Sequence, residues 1–95
     1  MRLFGDFEEK GYRFRAFIPE AESDGIAFKV EISHADKALH EFRVPMLYEP
    51  RFGPDAGDVR ALEAVTDAVL KFLPEPAKFG AEMIHRIDAT VAELT

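Results

Sequence analysis

Residues 26–33 of this chain alternate without a break. Ile26, Phe28, Val30 and Ile32 are apolar and point in, while Ala27, Lys29, Glu31 and Ser33 point out. Every second side chain shares a face only in a β-strand, so the stretch reads as a strand with a buried and an exposed side. Two neighbouring stretches repeat the period. In residues 12–18, Tyr12, Phe14, Ala16 and Ile18 face one way and Arg13, Arg15 and Phe17 the other. In residues 39–48, Phe42, Val44, Met46 and Tyr48 point inward, with Glu41, Arg43, Pro45 and Leu47 outward. The connections, residues 19–25 and 34–38, are too short for the crossover that parallel strands need, so the three strands pair as an antiparallel meander. Pro45 has no amide to donate, which puts its strand at an edge and residues 26–33 in the middle. One apolar face and one mixed face is the pattern of a sheet covered on one side only.

The cover follows in the chain. In residues 58–73, Val59, Leu62, Val65, Val69 and Phe72 recur at spacings of three and four, one stripe of a helix. Residues 49–57 carry two Pro and two Gly and read as a loop, whose Asp55 or Asp58 can cap the helix that follows. Pro74 ends that helix, and Pro76 suits the first turn of a second. Phe79, Met83, Ile84, Ile87, Val91 and Leu94 form the second stripe, within residues 77–94. So short a link predicts antiparallel neighbours. The expected architecture is α+β: a three-stranded antiparallel meander followed by two antiparallel helices packed on one sheet face (βββαα), in a single domain of residues 1–95. Phe28 is expected to be fully buried against Val65 or Val69. Residues 1–7 fit two patterns: Leu3, Phe4 and Phe7 share a helical turn, and Leu3, Gly5 and Phe7 share a strand face.

Composition narrows the chemistry. The net charge of −6 opposes non-specific binding to nucleic acid or to an anionic membrane. The chain has no cysteine, which removes disulfides, thiol catalysis and Cys-based zinc sites. No apolar run approaches the ~18 residues of a membrane span. Asp6, Glu8 and Glu9 follow the first apolar residues too soon for a signal peptide, and the default location is the cytoplasm.

Residues 10–17, KGYRFRAF, resemble the RNA-binding octamer of the RRM family through Lys10, Gly11, Tyr12, Phe14 and Phe17. The wider stretch is also similar to the nucleic-acid-binding strands of a cold-shock domain. The resemblance implies a single-stranded nucleic-acid binder in which Tyr12 and Phe14 stack on bases beside Arg13 and Arg15. Alternation implies the opposite placement, with Tyr12 and Phe14 in the core and both Arg in solvent, because burying two unpaired guanidinium groups is prohibitive.

Other clusters carry less. His34, Asp36 and His40 lie around one turn, a grouping of metal-ligand types, yet Asp36 equally suits a bond to its own turn backbone. His85 and Asp88, three apart on the second helix, can meet on its surface. Ser33, Thr66 and Thr90 have no sequence link to a histidine, so no nucleophile is assembled. Residues 53–57 open a helix, but Asp55 and Asp58 put negative charge where a phosphate would sit. No catalytic residue, metal or cofactor is expected.

The outer sheet face holds the remaining signal. Phe17, Ala27, Pro45 and Leu47 are expected to form an apolar row across one end of it, with Arg13, Arg15, Lys29, Glu31, Glu41 and Arg43 as a charged field around them. Either Leu3, Phe4 or Phe7 folds over the row, or a partner does. Phe52, in the loop, is either a plug for the core or a second anchor. The expected function is a small non-enzymatic protein-interaction module, self-associating through that face or binding another protein. Single-stranded nucleic-acid binding is the alternative.

Overall fold

The computed structural model describes residues 1–20, 25–47 and 54–95. Strands β1 (Arg2–Glu9), β2 (Tyr12–Ile18), β3 (Ala27–His34) and β4 (Lys37–Pro45) form one antiparallel sheet in the order β1-β2-β3-β4. Helix α1 (Ala56–Phe72), a 3-10 turn at Pro76–Lys78 and helix α2 (Ala81–Leu94) follow. The α+β class and the meander agree with the sequence, as does the edge position of the strand ending at Pro45. The strand count does not: residues 2–9 add a fourth strand beside β2. A bulge between Leu3 and Gly5 hides its period. Leu3 lies opposite Phe17 on the outer face. Phe4 and Phe7, three residues apart, both reach the inner face. There the Phe4 ring lies 5.4 Å from that of Phe28, and the Phe7 ring stacks on Phe14 at 5.1 Å.

Both tight hairpins use two residues with positive φ: Lys10 and Gly11 (57° and 86°), then Ala35 and Asp36 (47° and 64°). Such pairs match the right-handed twist of the strands they join. At Gly11 the demand is double, because a Cβ there would stand 3.0 Å from Cγ of Pro76.

One core joins the layers. Tyr12, Phe14 and Ile18 of β2, Phe28, Val30 and Ile32 of β3, and Phe42 and Val44 of β4 meet Leu62, Val65, Val69 and Leu70 of α1 and Ile87 and Val91 of α2. The helices cover one face of the sheet. The start of α1 is fixed by reciprocal bonds: the Asp58 amide donates to Oδ1 of Asp55 at 2.7 Å, and the Asp55 amide to Oδ2 of Asp58 at 3.3 Å. Asp58 also accepts the amide of Leu47 at 2.9 Å, tying the exit of β4 to the helix. With Asp55 as the cap, α1 starts at Ala56, two residues before the expected boundary.

Three further expectations need correction. The second helix is not continuous from residue 77. Phe79 and Gly80 are extended, because Gly80 is a poor helix residue and the Phe79 ring is held edge-on against Tyr12 at 6.1 Å. Ile26 is 52% exposed because β3 begins one residue later, past the reach of the helices. Leu94, at the last turn of α2, is also exposed. Tyr48 lies outside the described residues.

Phe28 is completely buried. Phe28→Ala is expected to cost ~3–5 kcal/mol in denaturant melts, most of the stability a domain of this size has. Tyr12 gives a second measurement. Its hydroxyl donates to the carbonyl of Pro74 at 2.8 Å, and burial pushes the phenol above its ordinary value near 10. A raised value means that the neutral form is favoured in the fold. Its contribution is therefore complete below pH ~10 and is lost as pH rises through the folded value. Tyr12→Phe should cost about 0.5–1.5 kcal/mol at neutral pH and flatten the alkaline end of the stability profile.

Candidate functional site

The two edges of the sheet are treated differently by the helix layer. The helices lie closest to β4, whose inward Phe42 and Val44 are 5% and 0% exposed. On β1 the inward Phe4 and Phe7 are each 41% exposed. The inner face of the sheet thus runs out beyond α1 on the β1 side, and what runs out is aromatic.

A groove of about 250 Å³ occupies that margin, open to solvent. Its floor is Phe4, Gly5 and Phe7 of β1 with Phe14 and Ala16 of β2, backed by Val30 of β3. Val59, Leu62 and Thr66 of α1 form the wall, and Glu63 and Asp67 stand among them. Gly5 is paired with Ala16 in the ladder, so the floor is lowest between the Phe4 and Phe7 rings. Thr66 presents no free hydroxyl proton, because its Oγ1 donates to the Leu62 carbonyl at 2.8 Å. Glu63 and Asp67 are four apart on one helix, a like-charged spacing that costs a few tenths of a kcal/mol. Neither has an ion-pair partner among the described residues.

The outer face differs from the expected row. Ala27 is opposite Pro45, as anticipated, but Phe17 is opposite Leu3 and Lys29. The Lys29 ammonium sits 5.0 Å from the Phe17 ring centroid and 3.3 Å from Glu31. Leu47 lies past the end of β4 and is 90% exposed. Phe52 lies outside the described residues. Neither Phe4 nor Phe7 folds over this face; both turn to the other side. Asp6 and Arg13 form a two-pronged pair at 2.7 and 3.0 Å, which holds the Asp6 carboxyl below its usual range and the Arg13 guanidinium above its own. The Nε of Arg15 is shielded and makes no hydrogen bond among the described residues.

Tyr12 and Phe14, the base-stacking pair of the RRM-like reading, are 0% and 1% exposed and have no open ring face. The histidines do not converge. The Nδ1–H of His34 donates to the carbonyl of Gly11 at 2.7 Å, linking the two hairpin turns. His40 reaches across to Asp88 of α2, Nε2 to Oδ1 at 2.7 Å, so Asp88 bonds to the sheet and not to His85. Among the described residues no three His, Asp or Glu side chains are grouped to hold a metal ion. No helix among them is long and apolar enough to cross a membrane.

The chain matches no protein-family model, no curated protein and no solved structure. The site therefore stands on its own geometry. Alternation did not disclose it, because the bulge moves Phe4 into phase with Phe7. The usable signal was two Phe flanking a Gly in the first strand; the i,i+4 spacing of Asp67 and Lys71 suggested an ion pair that the structure does not form.

Phe7 is bound on one ring face and open on the other. Phe7→Ala should cost about 1–2 kcal/mol in denaturant melts, well below the Phe28→Ala loss, and leave the folded spectrum intact.

Proposed function

We propose that this chain is a small non-enzymatic protein-interaction module whose docking site is the groove between β1 and α1. The observation that carries the reading is the contrast between the two edge strands. The same helix layer seals the aromatic inner face of β4 and leaves that of β1 open. Exposed aromatic side chains around a concave floor are the usual anchors of protein recognition, with charged residues at the rim. The groove brings together no nucleophile, base and oxyanion donor, which supports a binding role over a catalytic one. Burial of Tyr12 and Phe14 weighs against single-stranded nucleic acid, as does the net charge of −6.

A second reading is self-association through the outer sheet face. Leu3 beside Phe17 on that face, with Leu47 90% exposed past the end of β4, is what favours it. The ion pairs Asp6–Arg13 and Lys29–Glu31 give the rest of that face the character of a solvated surface, so the groove ranks first.

Site-directed photocrosslinking in the source cells separates the two. A photoreactive phenylalanine analogue replaces Phe7, Phe17 or, as a control on the opposite edge, Glu41. Discrete crosslinks to other proteins from position 7 and none from position 41 are the expected result. Products of twice the chain's mass from position 17 would establish self-association instead. Absence of protein crosslinks from either position would end the interaction reading.

A further inference from the structure

The groove's shape and charge specify what kind of segment fills it. We infer that its occupant is a basic amphipathic helix contributed by another protein, lying along β1 beside α1. This inference rests on the groove being the docking site and adds the class of partner.

The width argues for a helix. Helices packed side by side on one sheet stand about 8–10 Å apart, two strand spacings of about 4.8 Å, so a second helix beside α1 would lie along β1, where Phe4 and Phe7 are open, and not over Phe14, which is 1% exposed. An extended segment would instead bond to the outer edge of β1 and leave the floor bare. The third wall is already present, because α1 stands on one side as a neighbouring helix of the same layer would. The lining of that wall runs from Val59 to Asp67, a rise of roughly 12 Å, so about two turns of the incoming helix make contact. Its apolar residues would recur at i, i+3 or i+4, and i+7, as in other helix-in-groove complexes. The low point over Gly5 and Ala16, between the Phe4 and Phe7 rings, takes the largest of them.

The charge excludes this chain's own helices as the occupant. Among the described residues, Glu63 and Asp67 are the ionisable side chains lining the groove, and both are acidic. A second copy of α1 or α2 would bring a net acidic surface: α1 carries Asp58, Glu63 and Asp67 against Arg60 and Lys71, and α2 carries Glu82, Asp88 and Glu93 against Arg86. The apolar stripes of both helices are also already committed to the core. Lys or Arg beside the apolar stripe of a foreign helix relieves the Glu63–Asp67 repulsion and sets its direction along the groove.

A displayed library tests both parts. It holds segments of about eighteen residues, long enough to form a helix on binding. Half have apolar residues at helical spacing and half at alternate positions, with flanking sites varied among Lys, Gln and Glu. Selection is on the intact chain. Binders are then measured against Ala16→Leu, which fills the low point of the floor, and against the double variant Glu63→Lys/Asp67→Lys. Both variants are checked for an unchanged melting curve, and Ala16→Val, a smaller filling side chain, replaces Ala16→Leu if the latter fails to fold. The expected winners have helical spacing and Lys flanks, lose binding at least tenfold in the position-16 variant, and lose roughly tenfold in the charge-reversed one. Winners with alternating or acidic patterns that still depend on position 16 would overturn the partner class while leaving the groove as the site. Winners indifferent to position 16, or no winners, would overturn the groove itself.

Discussion

Tyr12 is the side chain through which the sheet and the helices are fastened at one end. Its ring is in the core, edge-on to Phe79, and its hydroxyl is bonded to the last turn's exit at Pro74. The adjacent Lys10 ammonium donates to the Leu70 carbonyl at 2.6 Å, a cation at the negative end of α1. Gly11 lets the turn approach Pro76 closely enough for both contacts. The carbonyl of Gly11 then receives His34 from the second hairpin. Four separate segments therefore meet at a turn of two residues. The opposite end of α1 is fastened by Asp58, which holds Leu47 and the helix cap together. With both ends fixed, α1 has little freedom to slide toward β1, and the uncovered margin follows from that.

The margin has an energetic logic. Covering Phe4 and Phe7 would need either a third helix or a narrower sheet. The described residues supply neither, and the Phe7–Phe14 stack and the Phe4–Phe28 contact recover part of the stabilisation that full burial would give. The outer face, in contrast, is balanced across the strands by Asp6 with Arg13 and by Lys29 with Glu31 and the Phe17 ring. Two surfaces of the same sheet thus differ in kind: one carries ion pairs made within the chain, the other is apolar with Glu63 and Asp67 on its rim.

Much of the architecture was legible because period and pairing are local. Phe28, Val30 and Ile32 announced a middle strand, and Pro45 an edge. Leu62, Val65 and Val69 marked the buried face of a helix, and Asp55 with Asp58 its start. The failures also have local causes. A bulge of one residue disguised β1, and an extended Phe79–Gly80 pair split what looked like one helix. The outer row was displaced by two positions because register depends on the turns, and Phe17 met Lys29 instead of Ala27. The groove was beyond reach for a different reason. It is defined by where a helix stops covering a sheet, a relation between distant segments that no window of the sequence contains. The bond from His40 to Asp88 belongs to the same class.

β1 hangs on the molecule by its ladder to β2 and by two aromatic rings. Without it, β2, β3, β4 and the helices still hold nearly all of the core residues, the three-stranded unit that alternation alone describes. The chain is thus built as a self-sufficient nucleus plus an appended strand. Removing β1 would therefore take away the floor of the groove and leave every residue of the core cluster in place.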